Sequence, residues 1–240
     1  MLPSSSFGRT GAVTTSRGGP YVWVTWLSRL MAGDVKCTWS VWFKTHYKDY
    51  ARAASDFQLA QWQAEHTRLV SQLDTERRAL GESVRLENQN AFRVKATRGG
   101  LILSGQPDVI TLDTQGEVTV YDAKTGNKRQ SDLLQVMLYM RCVPYASALY
   151  KGKLPSGCVA YKDGYRSDIP ASAVDGDFKQ NVSYFLGLLE ADTPPRRVPS
   201  PQECRYCEVT AADCPDRIEW DKSGAPGENE SMASLDWQTQ

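Results

Sequence analysis

Residues 105–126 read GQPDVITLDTQGEVTVYDAKTG: two β-branched runs around a turn, with little choice of local structure. Gly116 supplies the backbone angle that a tight turn over DTQGE requires. Pairing Leu112 with Val118 across those five residues sets Ile110 against Val120, whereas a one-residue slip would send the two apolar sets to opposite faces. The same register brings Asp108 opposite Asp122 at roughly 5 Å, which is repulsive by itself. A divalent cation between them reverses the sign, because hard ions such as magnesium are held by a few carboxylates and waters. Lys124 lies two residues beyond Asp122 and shares its face. Its ammonium can orient or deprotonate a water, or stabilise charge developing on a phosphate. A bare D-x-K at a strand end is also common as a solvated terminus, so the pair needs company.

Upstream, TWSVWFKTHYKDYARAASDFQLAQWQAEHTRLVSQLDTERRAL has no Gly or Pro and predicts one long helical stretch, broken near Ser55 and Asp56. Leu59, Trp62, His66, Leu69, Leu73 and Leu80 recur at helical spacing, which places His66 on a buried stripe. From there it offers a nitrogen ligand, and imidazole favours manganese over magnesium. Gly81 closes the helix, and SVRLENQNAFRVKA, GLILSGQPDVITL and VTVYDAK read as successive strands. SDLLQVMLYMRCV returns to helical period, with Ser131 or Asp132 expected as N-cap. Gln135 and Tyr139, four apart, share a face from which they reach substrate or steady Lys124. A strand at GCVAYKDG, a helix at FKQNVSYFLGLLEA and the connector DTPPRRVPSPQE come next. This order predicts an α/β fold with a mixed sheet.

At 240 residues, 41% hydrophobic and 23% charged, the chain suits one main domain. We place it at residues 21–220, between polar segments 1–20 and 221–240 that are expected to lack fixed structure. Twenty-eight basic residues balance 28 acidic ones, so any polyanion site is a local patch. No apolar run approaches the roughly 20 residues of a membrane span, and the first residues lack the apolar core of a secretory signal. No membrane partner and a cytoplasmic location are therefore expected.

In a reducing compartment, clustered cysteines speak for metal binding rather than disulfides. CRYCEVTAADCPDR spaces Cys204, Cys207 and Cys214 by two and six residues, and Cys37 precedes the first long helix. Four thiolates suit a tetrahedral zinc or a four-iron, four-sulfur (4Fe-4S) cluster, and spacing alone does not choose between them. Cys142 and Cys158 are left for packing. Lys44, Lys48 and Arg52 recur every four residues as a basic stripe beside Trp39, Trp42, Phe43 and Tyr47. Lys128 and Arg129, after the DAKTG turn, are better placed to meet phosphate near the metal.

Taken in order, His66, GQPD ending at Asp108, DAK from Asp122 to Lys124, and QVMLY with Gln135 and Tyr139 resemble the PD-(D/E)XK nuclease superfamily, and within it the RecB-like branch. Asp122 stands where the third motif usually has Glu. The resemblance implies a restriction-endonuclease-like core: a mixed central sheet flanked by helices, with an N-terminal helical region and a C-terminal cysteine-rich segment joined by a metal cluster. It implies that His66, Asp108, Asp122 and the backbone carbonyl of Ala123 hold Mn or Mg. Lys124, Gln135 and Tyr139 then complete the catalytic set with the two aspartates.

One early cysteine and a late C-x-x-C-x6-C-P-x-R are similar to the iron–sulfur members of that branch, the small CRISPR-adaptation exonucleases and the AddB-type helicase-nucleases. This favours a 4Fe-4S cluster at Cys37, Cys204, Cys207 and Cys214, acting as a structural clasp. The implied activity is a metal-dependent DNA exonuclease on single-stranded or frayed ends, with protein partners in a DNA-processing or CRISPR-adaptation complex. CRISPR antiviral defence, phage recombination and DNA repair all fit. The alternative is a non-catalytic DNA-binding or assembly subunit that keeps fold and cluster as scaffold. Retention of His66, Asp108, Asp122 and Lys124 together argues against it.

Overall fold

The computed structural model describes residues 13–54 and 58–219. In chain order the elements are β1 (Thr15–Ser16), β2 (Tyr21–Trp23), α1 (Val24–Met31), α2 (Thr38–His46), β3 (Tyr47–Lys48) and α3 (Leu59–Ala79). Four short strands come next, β4 (Ser83–Leu86), β5 (Phe92–Lys95), β6 (Ile102–Gly105) and β7 (Val109–Leu112), then the longer β8 (Val118–Lys124). The chain continues through α4 (Gln130–Ala146), β9 (Ser156–Tyr161), β10 (Arg166–Ile169), α5 (Gly176–Glu190) and α6 (Pro201–Arg205).

The main sheet has five strands in the order β10-β9-β8-β7-β4. All its pairs are antiparallel except β8 with β9, and α4 makes the crossover that this parallel pair needs. The β7–β8 hairpin has the expected register, with Leu112 opposite Val118 and Ile110 opposite Val120. Its turn is built by Asp113, whose Oδ1 accepts from the backbone N–H groups of Gln115 (2.9 Å) and Glu117 (2.8 Å), with Gly116 at φ +82°.

Helices cover both faces of this sheet. On one, α3 lays Leu69, Val70 and Leu73 over Val84, Val109, Tyr121 and Ala160. On the other, Val136, Met140 and Val143 of α4 and Leu27 of α1 pack against Ile110, Val118, Val120 and Val159. Each such side chain contributes about 1.5–3 kcal/mol by leaving water. The alternation along β8 therefore aims Val120, Asp122 and Lys124 toward α4.

Several expectations are corrected. The long upstream helix is two helices, because after His46 the chain turns extended at Tyr47 and pairs with Thr15–Ser16. No Gly or Pro marks that end; strand pairing overrides helix propensity. The break foreseen at Ser55 and Asp56 lies outside the described residues. Residues 13–20, expected to lack structure, are tied down by this pairing and by Arg17 Nε, which donates to the carbonyls of Lys44 and Tyr47. Residues 1–12 and 220–240 lie outside the described residues.

The apolar stripe of α3 is buried only at its middle. Leu69 and Leu73 are covered by the sheet, whereas Leu59, Trp62 and Leu80 overhang it and are exposed. The stretch 83–96 divides into β4 and β5, which join different sheets, and 100–112 divides into β6 and β7 at Gln106 and Pro107. The N-cap of α4 is Arg129 rather than Ser131 or Asp132; Asp132 reaches back, and its Oδ2 accepts from the Arg129 N–H at 3.0 Å. The basic stripe is not on one helix, since Lys44 lies in the last turn of α2 while Lys48 and Arg52 lie beyond it. Lys44 and Arg52 instead converge on Glu208, at 3.0 and 3.6 Å. Among the described residues no helix is long and apolar enough to cross a membrane.

Candidate active site

At the end of the β7–β8 hairpin the two carboxylates anchor neighbouring networks on either side of Ala123. Asp108 directly precedes β7, and its Oδ2 accepts from the backbone N–H of Ala123 at 2.6 Å and lies 3.2 Å from His66 Nε2. Asp122, 2% exposed, has Oδ2 2.6 Å from the Lys124 ammonium. Its Oδ1 accepts from Gln135 Nε2 at 2.9 Å. Gln135 also accepts from Lys124 Nζ through Oε1 (3.0 Å) and lies 3.0 Å from the Tyr139 hydroxyl through Nε2. Gln135 therefore holds aspartate, lysine and tyrosine in one geometry. The spacing in α4 predicted the shared face of Gln135 and Tyr139 and the contact with Lys124, but neither the bond to Asp122 nor the burial of both was foreseen.

Tyr139 reaches the site over Gly105. A Cβ there would lie 2.7 Å from Tyr139 Cε1 and from Phe92 Cζ. Glycine is needed for the approach.

The electrostatics are set by burial. Loss of solvent raises the Asp122 carboxyl to about 6, against the opposing pull of Lys124 and with help from Asp108. Burial disfavours the Lys124 ammonium, but the Asp122 carboxylate outweighs it and its pKa is raised. The hydrogen bond to Asp108 raises His66, against desolvation. Burial pushes Tyr139 well up, so it stays a neutral hydroxyl.

Sequence reasoning missed Glu87. Leu86 pairs with Val109, so Glu87 comes level with Asp108, and its N–H donates to the Asp108 carbonyl at 2.8 Å. Its φ of +24° is unusual for a side-chain-bearing residue. Asn90 pins the turn, donating through its backbone to Glu87 O and through Nδ2 to the carbonyls of Arg85 and Pro107. His66 Nδ1 lies 3.8 Å from Glu87 Oε1. His66, Glu87 and Asp108 thus bring ligand atoms within 4.8 Å of one another. Strain at a cleft is a functional pointer, but no sequence signal short of the β4–β7 register singles this residue out.

These donors fit a divalent cation. They are nitrogen and carboxylate oxygens, whereas Asp122 Oδ2, 2.6 Å from the Lys124 ammonium, lies outside this group of three. The cleft they line has a volume of about 1150 Å³ and also includes Ala123, Lys124, Gln135 and Tyr139.

The proposed phosphate contacts lie elsewhere. Lys128 pairs with Asp163 at 3.1 Å and sits 3.9 Å over the Tyr165 ring, and Arg129 lines a different cavity. Neither is among the residues lining the cleft.

That second cavity, about 720 Å³, is lined by Cys37, Cys204, Cys207 and Cys214 together. Cys37 precedes α2 and Cys204 lies on α6, so the N- and C-terminal parts meet there. Burial raises the Cys207 and Cys214 thiols, with a contribution from neighbouring Cys37. Among the described residues these sulfurs do not form a group within 4.8 Å. Cys142 and Cys158 are buried in the two cores, where burial pushes each to about 12.

A family model described as the PD-(D/E)XK nuclease superfamily matches residues 22–215. Among solved structures, one described as the crystal structure of SSO0001 is 13% identical, with a TM-score of 0.42, over 85% of this chain and 91% of that chain. No curated protein matches the chain. The mixed sheets flanked by helices agree with a restriction-endonuclease-like core.

Proposed function

The chain belongs to the PD-(D/E)XK nuclease superfamily, and from that premise we propose that it is a metal-dependent DNA exonuclease of the RecB-like branch acting on single-stranded or frayed ends. One observation carries the reading: Lys124 lies 2.6 Å from a buried Asp122 with Gln135 bridging both, and Asp108 is bound to the N–H of Ala123 between them. His66, Asp108, Asp122 and the Ala123 carbonyl are the assigned holders of Mn or Mg, with Glu87 added by its place beside His66 and Asp108. The metal, when bound, supplies a Lewis acid and a water of lowered pKa.

The chain's own groups do the rest. Lys124, kept charged by Asp122, orients the attacking water and offers positive charge where the phosphate gains negative charge. Gln135 fixes the ammonium, and the neutral Tyr139 hydroxyl fixes Gln135. Purified protein with Mn²⁺ is expected to shorten an end-labelled single strand and to stop on chelation; a strand left intact sinks the reading. Binding without cleavage would fit the scaffold role instead.

The four cysteines are assigned a 4Fe-4S cluster. A tetrahedral zinc at about 2.3 Å from each sulfur needs its thiolates about 3.8 Å apart, whereas a cubane carries one thiolate per corner and spaces them more widely. The lining of one cavity by all four cysteines supports a shared metal centre, and the likeness of C-x-x-C-x6-C-P-x-R to the iron–sulfur members favours the cluster over zinc. Protein purified without oxygen is expected to be brown, and Cys204→Ser to lose that absorbance. A colourless protein containing zinc would overturn the assignment. Partners in a DNA-processing or CRISPR-adaptation complex, and a cytoplasmic place of action, belong to the same proposal.

A further inference from the structure

Trp23 and Trp62 line the carboxylate cleft together with His66, Asp108 and Asp122, and are 37% and 38% exposed. Neither belongs to the two apolar cores. Trp62 stands one turn before His66 on α3, and the two rings stack with centroids 4.9 Å apart at 25°. The indole plane is thereby held in a set orientation next to a proposed metal ligand. Trp23 ends β2, where the strand passes into α1, and Tyr21 meets it edge-on at 5.8 Å and 84°.

The charges lining the same cleft make these rings informative. Its acids are Glu65, Glu87, Asp108 and Asp122, and its lysines are Lys124 and Lys162. Both lysines are already engaged, Lys124 with Asp122 at 2.6 Å and Lys162 with Glu65 at 3.2 Å. A phosphate backbone entering here meets a surplus of carboxylates, so a cation bound at the site would hold the scissile phosphate together with Lys124, and grip on the rest of the strand must be largely non-ionic. Aromatic faces supply such a grip when they stack on bases.

We propose that Trp23 and Trp62 are stacking platforms for unpaired nucleobases beside the scissile phosphate, which makes an unpaired strand, rather than duplex DNA, the substrate of the cleft. The inference rests on the nuclease reading above. Inside a duplex each base face is already covered by its neighbours, and an indole has nothing to gain there. On an unpaired strand each base–indole stack strengthens binding by about 5- to 150-fold. Because few phosphates are neutralised, affinity should fall only shallowly with salt.

The test uses the full chain, with Ca²⁺ in place of Mn²⁺, and measures Kd for a fluorescent single strand and a covalently closed circular duplex. Trp62→Ala is expected to weaken the single strand by about 5- to 150-fold, to leave the duplex unchanged, and to be largely rescued by Trp62→Phe. An abasic site at the stacking position should cost the wild type a similar factor and cost Trp62→Ala almost nothing further. A structural effect of the substitution on His66 would not produce that dependence on one base. Equal losses on both substrates, abasic costs unchanged in the variant, or no strand binding by the wild type would each overturn the proposal. Cleavage with Mn²⁺ is scored separately. Base-dependent loss without any cutting would sink the nuclease reading and leave the stacking platforms standing.

Discussion

Lys124→Ala is expected to slow Mn²⁺-dependent cleavage by about 10²–10⁴-fold, the range usual for loss of a positioned acid–base group. The variant should still take up metal, because its carboxylates and His66 are untouched. Without metal it should be less stable, for the ammonium is the charge partner of an Asp122 that is 2% exposed. Removing one member of a buried pair costs about 3–5 kcal/mol when the other stays charged. Here the cost should fall below that, since Asp122 already titrates at about 6 through burial and can take up a proton instead. Mn²⁺ should therefore restore much of the melting temperature of Lys124→Ala without restoring turnover. Cleavage at the wild-type rate would move the chemistry away from this lysine.

A second expected result is thermal. Mn²⁺ at about 100 times its Kd should stabilise the wild type by about 2.7 kcal/mol, which for a chain of this size raises Tm by about 5–10 °C. The reason is the crowding of Asp108 and Asp122, which a cation turns from repulsion into attraction. Asp122→Asn removes one carboxylate and should show a much smaller rise.

The same group sets a pH dependence. The folded-state pKa of Asp122 lies at about 6, above its ordinary value of 3.8, because of burial. The native state therefore holds this proton more tightly than the unfolded chain does. Between about pH 4 and 6 the metal-free protein should lose stability as pH rises, and the full cost is present above that window. Asp122→Asn should lack this decline, and the Mn²⁺ increment of the wild type should be larger at pH 8 than at pH 5. Differential scanning calorimetry at the two pH values, with and without metal, reads all four quantities. Equal increments for wild type and Asp122→Asn would remove Asp122 from the metal site.

Much of this site was legible in the chain. Apolar alternation and Gly116 dictated the β7–β8 register, because a slip would expose one hydrophobic set, and that register puts Asp108 and Asp122 just beyond its Val109–Tyr121 pair, with Asp108 bound to the Ala123 N–H. Spacing of two placed Lys124 on the face of Asp122, and spacing of four placed Tyr139 beside Gln135. These are short-range consequences of strand and helix geometry.

Other features depended on contacts between distant segments. α2 ends at His46 because Thr15 and Ser16 pair with Tyr47 and Lys48, and nothing local marks the stop. Lys44 and Arg52 looked like a DNA-facing stripe and are held by Glu208, a partner more than 150 residues away in the chain. Glu87 joins the site only through the pairing of β4 with β7, and the exposure of Trp62 reflects how little of α3 the sheet covers. The sequence by itself thus determined the hairpin, its opposed carboxylates and the helix face that steadies them, since periodicity and turn chemistry act within a few residues. Only the tertiary structure decided which further groups surround them, because strand pairing and partial burial of a helix depend on segments that meet after the chain has folded.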